Sequence, residues 1–583
     1  SYRLSTAASI LAQSDFLHEA LRQLSEQDLS PVQRRVVMRL AREGFTMGVG
    51  IEDPKTLRSL EEGTKRLAQL ATVFSQNVAQ DEEQVLLRAS RDEIKGLSQK
   101  VLNVLNITGD GEEFWLTSQR EACEAYGRDA ENANLRQKAF MAARRLGSGN
   151  LPVIAEMLQI RQDWAAMLGY RNFADLVFEA RSASKAEVEM LLQALRESSE
   201  AAAVEELKDL KTADEDLRVW DIDYVRSKMK QSEFEEAQLE PYLPLSGVIR
   251  GLFKLIERLF GVRLETATSR REVPLWHRSI RFYRLVDVDS QHPIAGLYLD
   301  LFQHGKKLRS GGFWSDSFVT FSKRLGKNQD VRRPIAHIVG DLPPPAGADG
   351  AGPDLLSLRQ VRSLFNAAGG ALQHLLNQQE EGLANPENME IDAALLPNFM
   401  EQWAMDPATL QSFGGHWETG EVIPEDLLQA MKDSQAKYGA LDLFQKVSWA
   451  QLDLELHSQD LGDDIDDIME VARSQLASEE IASVLPDFND AVEEGLCNFH
   501  GPFSTGFAAG EYVRIWKEVL VADLFEAFQN QDSDVSTLGK QMRELFLATG
   551  ADVSPTALLR ELRGRGPKVG PFLKQLGLSR SKK

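Results

Sequence analysis

The sequence predicts a mainly α fold carrying one small β-sheet. Apolar residues recur at helical spacing from about Leu11 to Gln231, and again from Pro353 to about Leu576. Between about Arg263 and Asp341 the pattern changes to the alternation of strands. The 583 residues are 43% hydrophobic, enough to bury a large core in one α-rich unit or two lobes.

Taken in order, Pro31 sits at the first helical position after Ser30 and opens an amphipathic run. Asp53-Pro54 opens a second run, through Leu57, Leu60, Leu67, Leu70, Val73 and Phe74. Gly109-Asp-Gly111 reads as a turn. Leu146–Pro152 reads as a break, followed by a helix through Trp164. The Glu-rich stretch Ala201–Lys211 is expected to be solvated. Strands are expected at Arg281–Val288, Ala295–Phe302 and Pro334–Gly340. The Pro- and Gly-rich Asp341–Pro353 reads as a flexible loop. It delivers the chain into Val361–Leu376, whose apolar stripe is Val361, Leu364, Phe365, Ala368, Leu372, Leu375 and Leu376. Gly369 and Gly370 interrupt that helix. Each glycine costs about 1 kcal/mol against alanine, so the pair needs a reason. The resulting division is an N-terminal helical lobe (1–145), a helical connecting region (146–262), a sheet region (263–345) and a second helical region (346–583).

The net charge of -22 argues against nucleic acid and anionic membrane surfaces as partners. Cys123 and Cys497 are the two cysteines, in no metal-like spacing, which excludes a disulfide framework. No apolar run approaches the ~18 residues of a membrane span. The opening at Ser1 is compatible with removal of a presequence. Ser579–Lys583 reads as a short polar tail.

The segments flanking the glycine pair, Ser363-Leu-Phe365 and Ala371–Leu376, resemble the frame around the zinc motif of the thimet oligopeptidase and oligopeptidase A family. Leu29–Val36, Gly48–Ile51, Phe74–Val78, Leu168–Asp175 and Ala295–Phe302 with Lys306-Lys307 are similar to the same family in the same order. So are Phe413–Pro424, which contains His416-Trp-Glu-Thr-Gly420, and Leu559–Pro567. Mitochondrial intermediate peptidase is similar as well. The resemblance implies a two-lobed helical zincin-like fold with a deep central channel, lacking the family's first helices.

The resemblance also implies where chemistry would sit. The family's His-Glu-Phe-Gly-His occupies the slots held here by Asn366-Ala367-Ala368-Gly369-Gly370. Such a motif sets two imidazoles one turn apart and uses its Glu to take a proton from zinc-bound water. The third ligand, a Glu on a later helix, falls on Leu395 within Asp392–Phe399. The family's Gly-rich loop carries His and Tyr side chains for the oxyanion and the peptide backbone. Here it reads Phe503-Ser-Thr-Gly506-Phe507-Ala-Ala-Gly510-Glu511-Tyr512. Ligands, base and most oxyanion donors are thus replaced together. The expectation is a protein without catalytic residues or a cofactor, a pseudopeptidase acting as a structural or interaction subunit. Its partners would be other protein subunits, or a peptide segment in the channel, within an assembly of the mitochondrial matrix or plastid stroma, alternatively the cytoplasm. The alternatives are a peptide-binding or chaperone-like module, with Gly506, Gly510 and Tyr512 as contacts, and an active metalloendopeptidase with an atypical metal site. His374 and His416 are expected to be structural. Glu401 could meet Asp392 as a paired acid, but the reading preferred is a relic of the former site or a solvated helix face. Gly347–Gly352 lacks the Lys-Ser/Thr of a phosphate loop, and no Ser or Cys has a nucleophile's setting.

Overall fold

The computed structural model describes residues 14–578 except 85, 98–107, 110–112, 267–272, 306, 308–311, 323–330, 344–352, 380–393, 414, 463, 494, 531–533 and 551–552. Most of the turn expected at Gly109–Gly111, most of the loop expected at 341–353, Asp392 and the tail lie outside the described residues.

Helices dominate, and the predicted starts hold. In α1 (Pro31–Thr46) the Ser30 hydroxyl accepts from Gln33 N, and the Gln33 side chain accepts from Ser30 N, both at 3.2 Å. This capping box satisfies two otherwise orphaned donors. Asp53 caps α2 (Pro54–Gln84), accepting from Thr56 N at 3.1 Å. The stretch read as helical is then interrupted. Leu86–Ser90 (β1), Thr108–Gly109 (β2) and Glu113–Thr117 (β3) form an antiparallel sheet in the order β1-β3-β2. Leu87, Ala89 and Leu116 bury one face of it. A strand of five residues is too short to separate a period of 2 from one of 3.6.

Three long helices follow: α3 (Leu151–Met167), α4 (Lys185–Ala213) and α5 (Leu245–Phe260). The Glu-rich stretch of α4 is not the solvated face expected. Glu206 is buried, pairs with Arg226 and accepts from Ala440 N at 2.9 Å. Its carboxylate therefore caps the N-terminus of α8 (Ala440–Ser458).

The second sheet has five strands. Val262–Thr266 (β4), Arg281–Asp287 (β5), Pro293–Phe302 (β6), Trp314–Val319 (β7) and Ile335–Leu342 (β8) lie in the order β4-β5-β6-β8-β7. The three expected strands are β5, β6 and β8, the last running on through Asp341 and Leu342. β6 and β8 pair in parallel, and the edge strand β7 pairs antiparallel with β8. After the sheet come α6 (Leu358–Leu375), α7 (Leu396–Trp403) and the long α9 (Tyr512–Gln529).

Two large apolar cores result. One gathers the five-stranded sheet with α5, α6, α7 and α9; the other gathers α2 and α3 with the short helices between Ile465 and Glu493. α4 and α8 serve both. Leu192 and Leu195 of α4 enter the first core, Leu207 and Leu210 the second. Val447 and Leu454 of α8 face the first, Phe444 and Leu456 the second. α4 thus reaches each core with a different end, whereas α8, shared along one length, is apolar on two sides. Among the described residues no helix is long and apolar enough to cross a membrane.

Candidate functional site

The helix α6 is fixed first by its own N-terminus. Ser357 Oγ accepts from Gln360 N at 3.2 Å, and the Gln360 side chain accepts from Ser357 N at 2.9 Å. Val361, Leu364, Phe365, Ala368 and Leu372 then bury the predicted stripe. Asn366 and Gly370, one turn apart, stay half-buried on the other side. Asn366 Nδ2 donates to Glu401 Oε2 of α7 at 3.0 Å. Arg362, one turn earlier, donates Nε and Nη2 to Glu401 Oε1 at 3.0 and 2.7 Å. Glu401 is therefore held by α6, which corrects the expectation of a solvated helix face.

The two glycines have different neighbours. A Cβ at Gly369 would meet the Leu396 carbonyl oxygen at 2.4 Å and Pro397 Cα at 2.7 Å. This glycine lets α6 and α7 touch backbone to backbone. A Cβ at Gly370 would meet Ser315 Oγ of β7 at 2.5 Å. Ala367 is buried, and Leu395, just before α7, is 0% exposed in the first core. The structure thus brings Asn366, Gly370 and Glu401 together and places Ala367 and Leu395 in apolar packing. His374 is structural, as expected: it is buried, and Nε2 contacts the Val319 carbonyl oxygen of β7 at 3.0 Å. His416 Nδ1 accepts from Glu418 N and Thr419 N, each at 3.3 Å, and shapes a turn.

The loop 503–512 lies against the protein. Phe503 is 0% exposed and packs with Phe74 at 5.9 Å. Tyr512 is 1% exposed and stacks on Phe178 at 5.3 Å. The expectation that Tyr512 contacts a peptide is corrected by this burial: its ring fills the core. Gly510 is buried, whereas Thr505 and Gly506, the latter with φ of +75°, are exposed and Ser504, Phe507 and Glu511 are half-buried. Glu511 folds back over Gly501, whose added Cβ would collide with its carboxylate. Burial and the nearby Asp453 charge push the Glu511 carboxyl up, with Arg514 pulling the other way.

Asp453 of α8 holds this loop. Its buried carboxylate accepts from Ala509 N at 3.0 Å, Gly510 N at 2.7 Å and Glu511 N at 2.9 Å. His457 Nδ1 lies 3.1 Å from Asp453 Oδ1, and Arg161 Nη1 lies 3.0 Å from His457 Nε2. Arginine only donates, so Nε2 accepts and Nδ1 carries the proton, which it donates to the Asp453 main-chain carbonyl at 2.7 Å. Arg161 Nη2 also donates to the Pro502 carbonyl at 2.6 Å. Burial pulls the Arg161 guanidinium down to about 10, against the opposing pull of Asp453. Sequence patterning does not single out this chain of groups. The one trace is an aspartate and a histidine one turn apart in α8, within Leu452-Asp-Leu-Glu-Leu-His457. Half-buried Glu518 of α9 was missed as well. Burial pushes its carboxyl up; Lys446 opposes this and the Glu401 charge adds to it. Glu401, Arg362 and Glu518 therefore form one charged neighbourhood.

Comparison with known proteins accords with this architecture. Residues 128–578 match the family described as Peptidase family M3. Organellar oligopeptidase A, chloroplastic/mitochondrial, of Arabidopsis thaliana is 31% identical, over 97% of this chain and 75% of its own. A cytosolic oligopeptidase A of the same plant is also 31% identical, over 97% of this chain and 84% of its own. Among solved structures, PZ peptidase A with an inhibitor superposes with a TM-score of 0.52 at 12% identity, covering 96% of this chain and 82% of that one. A family model that matches well over half of the chain, and a relative 31% identical over 97% of it, together show that the chain belongs to peptidase family M3.

Proposed function

We propose that this chain is a member of family M3 that does not hydrolyse peptides and serves as a protein-interaction subunit. The donor chemistry on α6 carries the reading. A catalytic zinc needs three protein lone-pair donors and an open position. Gly370 and Leu395 supply none, and Asn366 offers one amide whose N–H side is already given to Glu401. Ala367 cannot take a proton from water. The residues at these positions do not fit the ion. Of the described carboxylates nearby, Glu401 is already held by Arg362 and Asn366, and Glu518 is half-buried with its carboxyl pushed toward the protonated form. The inward packing of Phe503 and Tyr512 lends further support, because an oxyanion needs donors aimed at open space.

Elemental analysis of the purified chain, with a quenched-peptide cleavage assay, tests the proposal. The expected outcome is substoichiometric zinc and no cleavage. Stoichiometric zinc together with metal-dependent cleavage would restore the alternative of an active endopeptidase with an atypical site.

A second reading is a non-catalytic peptide-binding module. The position of β7 favours it: this strand ends the five-stranded sheet and lies beside α6. An extended peptide can add to such an edge through main-chain hydrogen bonds. Calorimetry with a peptide library separates the two readings, since the interaction subunit gives no heat with short peptides. The compartment proposed is the mitochondrial matrix or plastid stroma, after the name of the organellar relative. The cytosolic relative is equally similar, so imaging of a C-terminally tagged full-length protein decides between them.

A further inference from the structure

Arg196, Arg332, Arg543 and Arg563 are half-buried arginines with their acceptors in place. Arg196 donates to Ser448 Oγ, Gln451 Oε1 and the Gln475 carbonyl at 3.0, 3.1 and 2.7 Å. Arg332 holds Thr320, Arg543 holds the Phe260 carbonyl and Asp287, and Arg563 holds Asp523 and Glu526. Arg181 is the contrast. It is half-buried too, and its Nε is shut off from solvent. Among the described residues, none of its side-chain nitrogens meets a hydrogen-bond acceptor or a carboxylate. A buried N–H without an acceptor lowers stability, and more so on a charged group.

The position of this guanidinium is fixed from two sides. Arg181 N donates to the Phe178 carbonyl at 3.1 Å, closing the turn after the short helix Phe173–Phe178. Phe178 stacks on Tyr512, the buried ring that ends the loop 503–512. On that loop, Arg181 Nη2 lies 3.4 Å from where a Cβ on Gly510 would stand. The ring and carbonyl of Phe507 approach the same point, at 3.1 and 2.7 Å. Arg181 therefore rests against the loop's main chain beside half-buried Phe507. The preceding Gly506 is exposed, and a Cβ there would meet nothing within 4 Å. A group fixed in advance loses little freedom on binding.

The carboxylates of the loop region are committed elsewhere. Asp453 takes the N–H groups of Ala509, Gly510 and Glu511. Glu511 folds over Gly501, and Arg514 is the cation that pulls on it. The amides of 509–511 are likewise used up on Asp453, so Arg181 holds the free donors at this point. Its planar fork of N–H groups matches the two oxygens of a carboxylate. A phosphate fits the fork as well, but its second charge would face Asp453 and Glu511.

We propose that Arg181 and Phe507 form a subsite for a carboxylate carried by a peptide segment. The carboxylate takes the guanidinium fork, and an apolar side chain next to it packs on Phe507. A chain terminus and a Glu or Asp side chain offer the same chemistry, and the test separates them. The proposal deepens the peptide-binding reading above and rests on it. Cleavage of a peptide that Arg181 holds would end the non-catalytic reading with the subsite intact. Loss of binding alone removes the subsite and leaves the inactivity of the chain untouched.

The test is calorimetry of the full chain with four probes: acetyl-Leu-Ala-Phe as the free acid, the same peptide amidated, amidated acetyl-Leu-Glu-Phe, and inorganic phosphate. A carboxylate peptide is expected to bind saturably and the neutral amide not to. Binding of the free acid assigns a chain terminus, and binding of the glutamate peptide assigns a side chain. Arg181→Met keeps the apolar stem and removes the donors. It should melt no lower than the parent without ligand and bind the carboxylate at least roughly tenfold more weakly. Arg181→Lys keeps the charge without the fork and should weaken binding severalfold, which guards against a methionine variant that fails to fold. Arg278→Met, at an exposed arginine elsewhere, should change nothing. The proposal is overturned by no saturable binding of either carboxylate peptide, equal binding of the neutral amide, tighter binding of phosphate, or indifference to both Arg181 variants. A folded Arg181→Met that melts well below the parent would overturn it too, because the guanidinium would then already be satisfied within the protein.

Discussion

Asn366 of α6 donates its side-chain amide to the Glu401 carboxylate of α7 at 3.0 Å, and Arg362 completes the same carboxylate from one turn away. Two helices that the family resemblance would join through a metal are joined here by a charge-assisted hydrogen bond and an ion pair. Such a bond contributes about 1.5–3 kcal/mol when well formed. Partial exposure of Glu401 lowers the ion pair's share. The contact is directional, and it engages both oxygens of the Glu401 carboxylate.

Rebuilding the motif should therefore fail. Asn366→His alone is expected to be tolerated, because the site is half-buried. Adding Ala367→Glu, Gly370→His and Leu395→Glu places a carboxylate in the fully buried 395 position. An uncompensated charge of that kind costs roughly 3–5 kcal/mol. The quadruple variant should melt well below the parent, bind zinc substoichiometrically and leave a quenched peptide intact. Stoichiometric zinc at an unchanged melting temperature would mean that the space for the ion persists.

The two glycines of α6 should part company on substitution. Gly369→Ala drives a methyl into the Leu396 carbonyl at 2.4 Å, and backbone cannot rotate aside. A loss of about 1–3 kcal/mol is expected despite the better helix propensity. Gly370→Ala meets only the Ser315 hydroxyl, which can turn away. That variant should match or slightly exceed the parent. Urea denaturation of the pair checks the contrast, and equal losses would refute it.

This contrast also marks what the sequence can carry. The helix α6, its stripe and its cap were legible because a period and a capping box are local. The need for glycine at 369 was legible only as an anomaly, since its cause is a backbone on another helix. β7 was missed because Trp314-Ser-Asp-Ser-Phe-Val319 is a polar-rich edge strand with its aromatic residues turned outward. Glu206 was misread as solvated because its partners, Arg226 and the N-terminus of α8, are remote in sequence. The slots 503 and 512 were found by family order, yet order could not say that both rings are buried.

Asp453→Asn should release the loop 509–511. Three backbone N–H groups converge on the two carboxylate oxygens, and the His457 ring lies 3.1 Å from one of them. An amide replaces one acceptor with a donor, so at least one buried N–H loses its partner, and Arg161 loses its compensating charge. The expected cost is about 3 kcal/mol, the sum of a lost charged hydrogen bond and an unsatisfied donor. Hydrogen exchange at Gly510 and Glu511 should accelerate more than exchange within α9. Unchanged protection at these amides would show that Asp453 does not anchor the loop.

The last prediction concerns pH. Burial, then the Asp453 charge, raises the Glu511 carboxyl above its ordinary 4.5 in the folded protein. The folded state therefore holds this proton more tightly than the unfolded state does. The stabilising contribution is complete below about pH 4.5, falls as pH rises, and is lost once pH has passed the raised folded value. At neutral pH the ionised Glu511 is a liability, because it sits beside another carboxylate. Glu511→Gln removes the charge while keeping the shape. The variant should melt higher than the parent near pH 7, and the gap should close as pH falls below about 4.5. Melting curves of both proteins across that range decide the matter. A gap that persists at the acid end would trace the effect to packing against Gly501 rather than to ionisation.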